Sequence, residues 1–370
     1  MTLSDLDLGS VRFRTSGEVH DELRAACEAN PDLAQFEIIG ESEEGRPLAG
    51  ITLGYGPRLA TLMAGAHADE PVGPETLRHL VLDGLGARGW GAEDGGLEDL
   101  WDAWTLRIVP HVNPDAEARN QAWISRWAEQ ADDPEAMLRL FLRHRLREQP
   151  GQDIEFGYPA MRAENRAATD FLFGGSASGA APSLALHASL HGMAFSEGAL
   201  LLIEKEWLHA PEAETLRAGF REAAAHAGLR LHDHDRGGDK GFRYGGPGFW
   251  STPEGAAMQA HFRASGDEAT ASRFHRSSIE QAVVASGASP LCVVTELPLF
   301  HLAADYAHEL GVAALAEQWR QRLPELAAGA ALGEAVQTFG IRTVDAHRAV
   351  RIHLRVIDLA LQTAAASTDV

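Results

Sequence analysis

Two cysteines in 370 residues, Cys27 and Cys292, exclude a disulfide framework. One falls in a predicted helix and the other in an apolar strand, where a thiol serves as a small buried side chain. Positive charge is scarce: 32 Lys and Arg stand against 53 Asp and Glu, a net charge of -21. That balance argues against nucleic acid or an anionic membrane as partner, because both attract basic surfaces. Long apolar runs are missing too, and none approaches the ~18 residues of a membrane span. Met1 to Gly17 carries Asp5 and Asp7 and lacks a basic start followed by an apolar run, so no export signal is read and a cytoplasmic enzyme is expected. What is present is an ordinary globular composition, 45% hydrophobic and 23% charged, enough for a large core. With no internal repeat and no composition break, residues 1–370 are expected to form one domain, with a helical extension over 1–35 and a closing helix within 325–370.

The chain is organised around Ala60 to Gly73, ATLMAGAHADEPVG. Leu59 to Ala64 reads as a buried strand, Gly65 lets the chain turn, and His67 and Glu70 follow before Gly73-Pro74 opens a helix. A spacing of three lets an imidazole and a carboxylate converge from a single turn. The crevice outside strand ends is where open α/β sheets bind ligands. Zinc suits this pair best, and a catalytic zinc needs a third protein ligand from elsewhere in the chain. Alone, the pair is weak evidence, because a solvated loop is its commoner setting, so the rest of the chain has to decide.

A first helix is predicted over Glu18–Asn30, then short strands Phe36–Gly40 and Leu48–Leu53 joined by a turn at Gly45 and Pro47. Gly84 to Gly96 is too rich in glycine for an element interior and reads as a loop. Leu106–Val109 is a strand leading to Asn113-Pro114-Asp115, and Ala122–Glu148 a charged helical section with a solvated face. A helix over Arg162–Phe173 and a flexible join over Gly174–Ser183 precede strands Leu184–Leu190 and Ala199–Ile203. Pro211–Ala227 is helical, His232–Trp250 a long loop near the site whose His232-Asp233-His234-Asp235 reads as solvated, and Leu291–Thr295 the last clear strand. Helices over Tyr306–Leu323 and Val344–Ala365 close the chain. Strands alternating with helices imply an α/β sheet covered on both faces.

Four strand ends then offer reactive groups: His67 with Glu70, the segment after Asn113, His191, and Glu296. A metal, a positive charge and a carboxylate base are what zinc-assisted amide hydrolysis requires. In order, IGESEEGRPL (Ile39–Leu48), AGAHADEPVG, VNPDAEARN (Val112–Asn120), SLHG (Ser189–Gly192) and VVTEL (Val293–Leu297) resemble the zinc carboxypeptidase family. The resemblance implies a single-domain α/β/α sandwich around a mixed, mostly parallel twisted sheet. It implies His67, Glu70 and His191 as zinc ligands, Arg119 as the oxyanion-stabilising arginine and Glu296 as general acid/base. His187 competes with His191, since residues four apart on a strand face the same side. Ser189 stands where the family frequently has Asp, which weakens the support behind that histidine.

One departure bears on substrate. The family's Asp-x-Asn-Arg run, whose Asn and Arg hold a terminal carboxylate, is matched here by DIEFGYP, Asp153–Pro159, with Glu155 and Phe156 in place of that pair. An anion-binding fork has become an acid and an aromatic. Asn120, Glu155 and Phe156 are the residues expected at the substrate, with Glu155 meeting a cationic group or serving structure, and Arg162 or Arg166 available to restore an anion site. The expected activity is zinc-dependent hydrolysis of an amide in a peptide or acylated amino acid. The alternatives are a deacylase resembling succinylglutamate desuccinylase or aspartoacylase, and a non-catalytic binding protein on the same fold.

Overall fold

The computed structural model describes residues 2–87, 97–174, 183–302, 312–329 and 331–368. Ten strands form one sheet: β1 (Ala34–Glu41), β2 (Pro47–Leu53), β3 (Arg58–Ala64), β4 (Trp104–Val109), β5 (Ser183–Ser196), β6 (Gly198–Ile203), β7 (Arg230–Leu231), β8 (Phe249–Ser251), β9 (Leu291–Leu302) and β10 (Ile341–Thr343). Their order is β1-β2-β4-β3-β5-β9-β6-β7, with β10 on β9 and β8 on β6. The centre, β4-β3-β5-β9, is parallel, while β1, β2 and β6 add antiparallel neighbours.

β3 is where the topology switches. The chain leaves it to build β4 on one side and returns to build β5 on the other, so the connections part above its carboxyl end and open a crevice. The alternation of buried side chains shows the same two-sidedness. Leu62 and Ile108 pack toward the helices Val72–Gly86 and Ala346–Thr368, while Met63 and Val109 pack with Leu172 of the helix Ala163–Phe173 on the other face. This is the α/β/α sandwich that the alternating pattern implies.

Several boundaries differ from the sequence reading, each for a physical reason. β5 and β9 run well past Leu190 and Thr295, because they pair with one another from Leu186↔Leu291 to Ser196↔His301. Pro298 is tolerated inside β9 because it falls between the residues paired to β6, which end at Glu296, and those paired to β10, which begin at Phe300. His191 and Glu296 therefore sit within a ladder, just beyond the end of β3. The helical section expected over Ala122–Glu148 is broken: Asp133 caps a new helix, Pro134–His144, by accepting a 3.0 Å bond from the Ala136 amide, and Pro134 occupies its first turn. Helix Val72–Gly86 also runs through Gly84, which was expected to begin a loop. The rest of that loop, most of the join after Gly174 and the start of the helix from Tyr306 lie outside the described residues. His232 is buried against Glu197, Nδ1 to Oε1 2.5 Å, and not solvated.

Candidate metal centre

The turn after β3 is held by close approaches. Gly65 has φ +77°, and a Cβ there would lie 2.5 Å from Nδ1 of His111. A Cβ on Gly73 would meet the Leu190 carbonyl at 2.4 Å, so the following helix starts hard against β5. Between these two glycines the Glu70 amide donates to the His67 carbonyl at 3.2 Å, tightening the turn and putting both side chains on its inner side. That is why a spacing of three suffices.

His191 completes a cluster with them. Nδ1 of His67 lies 3.0 Å from Glu70 Oε1, Nδ1 of His191 lies 3.2 Å from Glu70 Oε2, and the two Nδ1 atoms are 3.2 Å apart. The backbone amide of Gly192 donates to Glu70 Oε2 at 3.1 Å and fixes the carboxylate. Two imidazole nitrogens facing each other across 3.2 Å call for a shared proton or a shared cation. Tetrahedral ligands about 2.0–2.1 Å from a zinc ion stand about 3.3 Å from one another, so the donor set fits that ion in both chemistry and spacing. Without a metal the cluster holds protons instead. Burial alone would lower His67, but the adjacent Glu70 carboxylate carries it up to about 9. His191 is likewise held well above its ordinary value, burial being outweighed by Glu155 and Glu70. His187 is not part of the cluster: it is buried beneath it, Nδ1 2.9 Å from Thr61 Oγ1, and burial pushes it down to about 4.

Two carboxylates from one loop stand behind the cluster. Glu155 Oε2 is 3.1 Å from Nε2 of His191, the nitrogen turned away from the other two donors, and Ser189 Oγ is 2.8 Å from the same atom. Asp153 is buried in the cleft that His67 lines. Phe156 points elsewhere, its ring edge-on to Phe274 at 5.2 Å. Glu155 and Phe156 are thus both turned into the protein.

Glu296 pairs across the ladder with His191, and its Oε2 is buried with no hydrogen-bond partner among the described residues. Burial and the neighbouring Glu70 push its carboxyl up to about 8, against the pull of the two histidines. Arg119 is not brought to this cluster. It is half-exposed and its guanidinium is engaged by Glu44. Arg162, named as a way to restore an anion site, is bound to Glu148 and Glu164, each at 2.7 Å. Asn120 is fully buried and its amide saturated: Nδ2 donates to the carbonyls of Ala116 and Leu146, and Oδ1 accepts from the Leu146 amide and Trp123 Nε1.

The cation at the cluster is Arg147, which the sequence reading passed over. It lines one cleft with His67 and Asp153, its charge acts on Glu296 and Asp153, and it makes no hydrogen bond or ion pair among the described residues. Its neighbours are all tied down. Arg145 Nε binds Asp69 Oδ2 at 2.5 Å, Leu146 is held on both backbone groups by Asn120 at 2.9 Å, and Glu148 accepts from Asn113 Nδ2 and Arg162 Nη1 at 2.7 Å. The loop's path is fixed while the guanidinium is left available. The only sequence signal for this was the break at Asp133-Pro134, which returns the chain to the site.

Residues 19–192 match the family model described as zinc carboxypeptidase, a span that includes His67, Glu70 and His191 and stops before Glu296. No curated protein matches the chain in sequence. Among solved structures, a metallo-carboxypeptidase from Burkholderia cenocepacia aligns with a TM-score of 0.50 at 15% identity, over 94% of this chain and 70% of that one. A protein described as a carboxypeptidase A, from Shewanella denitrificans, aligns with a TM-score of 0.50 at 15% identity, over 97% and 71%. At such identities the structural likeness speaks for the fold. Together with the family match, it establishes the resemblance that the motifs carry. Among the described residues no helix is long and apolar enough to cross a membrane.

Proposed function

We propose that this chain, which resembles the zinc carboxypeptidases in motif and fold, is a zinc-dependent hydrolase of an amide bond in a peptide or acylated amino acid. The observation that carries the reading is the convergence of two Nδ1 atoms and one carboxylate beside Glu296, whose Oε2 has no hydrogen-bond partner among the described residues. His67, Glu70 and His191 would hold the ion, which supplies Lewis acidity toward a water molecule and the scissile carbonyl. Glu296 takes the proton from the attacking water and delivers it to the leaving nitrogen; among the described residues its buried Oε2 has no hydrogen-bond partner that would compete for that proton. Arg147, in place of Arg119, meets the charge that develops on the carbonyl oxygen.

The inward orientation of Glu155 and Phe156 leaves no group at those positions to pair with a free terminal carboxylate. This favours a substrate recognised through something other than that pair, which keeps the small-acyl deacylase reading alongside the peptidase one. A purely binding role is disfavoured by Glu296, since a buried carboxyl oxygen with no hydrogen-bond partner among the described residues is costly to keep without a task. The test combines metal analysis with a screen of short peptides and N-acyl amino acids. We expect about one zinc per chain, and Glu296→Gln should lower turnover by a factor on the order of 10² to 10⁴ with zinc content unchanged. Undiminished turnover in that variant would remove Glu296 from the mechanism, and loss of zinc would make it a ligand.

A further inference from the structure

We infer that Glu155 is a positioning residue for the metal: its carboxylate fixes the tautomer and ring plane of His191 from behind, and is thereby withdrawn from substrate recognition. The inference rests on His191 ligating the ion through Nδ1, as proposed above.

Nε2 of His191 has two oxygen neighbours, Ser189 Oγ at 2.8 Å and Glu155 Oε2 at 3.1 Å. A hydroxyl can donate or accept, so Ser189 alone leaves the imidazole free to carry its proton on either nitrogen. An ionised carboxylate can only accept. Glu155 therefore requires the proton on Nε2, which leaves the Nδ1 lone pair pointing at His67 and Glu70, where a cation must bind. The carboxylate is itself held, since Oε1 accepts from Ser278 Oγ at 3.3 Å and Ser278 opens the helix Ser278–Ser286. Both partners are buried, Glu155 8% and His191 2% exposed, so no solvent competes for the contact. Pairing of this kind raises ligand basicity and typically contributes 10–100-fold in metal affinity.

The experiment measures zinc dissociation constants by competition with a chromophoric chelator for the wild type, Glu155→Ala, Glu155→Gln, Phe156→Ala and His191→Ala. It also records the visible absorption of the cobalt-substituted proteins and the melting of the metal-free ones. Glu155→Ala should bind zinc about 10–100-fold more weakly and shift the cobalt spectrum. Phe156→Ala, on the same loop but packed on Phe274, should lower the melting temperature and leave zinc affinity unchanged, so a general loosening of the loop is told apart from loss of the carboxylate. Glu155→Gln keeps the volume and decides the matter should the alanine variant not fold: its neutral amide should still weaken binding. Wild-type affinity and spectrum in folded Glu155→Gln and Glu155→Ala would overturn the inference while leaving the proposed function standing. If His191→Ala binds zinc as tightly as the wild type, the ligand assignment itself fails and the inference with it.

Discussion

Replacing Arg147 by alanine removes from the cleft the guanidinium that makes no hydrogen bond or ion pair among the described residues. Losing one preorganised donor to a developing oxyanion typically lowers turnover 10²–10³-fold, about 2.7–4 kcal/mol. Arg147 is exposed in the substrate-free protein, so that contribution is realised only once substrate covers the site, and the lower end of the range is expected. Arg119→Ala is the matched control. Its guanidinium and the Glu44 carboxylate that engages it are 48% and 42% exposed, so the change should leave both the melting temperature and turnover essentially unchanged. Arg147→Lys keeps the charge without the planar fork and should fall between. A second readout is independent of the oxyanion. The positive charge of Arg147 acts to lower Glu296, so its removal should move the acidic limb of the pH–rate profile to higher pH, because Glu296 must be ionised to take a proton. Turnover on any cleavable amide, zinc content and melting temperature for the four proteins suffice. If Arg119→Ala lost activity 10²-fold and Arg147→Ala did not, the arginine of the Pro114–Ile124 helix would be the functional one and the argument from the tethered loop would be wrong.

The metal-stripped protein should lose stability as pH rises. His67 is carried from 6.5 up to about 9 in the folded state, so its contribution is whole below pH 6.5 and gone above about 9. Glu296 acts in the same direction, since a folded-state value near 8 means the folded protein binds the proton more tightly than the unfolded chain between the ordinary carboxyl range and that pH. Chelator-treated protein melted from pH 6 to 9.5 should show a falling transition that zinc flattens, the ion taking the place of protons; a transition rising across that range would contradict the sign. Separately, Arg78→Ala should destabilise by about 3–5 kcal/mol in urea unfolding with zinc stoichiometry intact. Arg78 is 1% exposed and binds Glu117 Oε1 at 2.8 Å and Glu75 at 3.5 Å, so its loss takes the guanidinium from buried Glu117, whose Oε2 keeps the Ser16 amide and hydroxyl, while Glu75 keeps Arg14 at 2.6 Å. A change below about 1 kcal/mol would mean that water enters and rescues the acids.

The sequence alone determined the parts of this protein whose physics is local. The mostly apolar run Leu59–Ala64, too short for a helix and ended by a glycine, reads as a buried strand, Gly65 and Gly73 permit a turn that bulkier residues would obstruct, and within that turn a spacing of three puts His67 and Glu70 side by side. Tertiary structure decided whatever depends on where a distant segment returns. His187 and His191 share a strand face, and only the register of β5 beyond the last residue of β3, Ala64↔Leu190, carries His191 to the cluster and leaves His187 buried below it. The resemblance points to Arg119, and nothing local in the sequence singles out Arg147. The helix break at Asp133-Pro134 and the Asn120 and Asp69 tethers, contacts between residues tens of positions apart, take Arg147 to the cleft and leave Arg119 on the surface. From its place in DIEFGYP Glu155 reads equally as a substrate contact or a structural group, and the choice is made only where β5 and the helix at Ser278 close around it and set its buried carboxylate against Nε2 of His191 and the Ser278 hydroxyl.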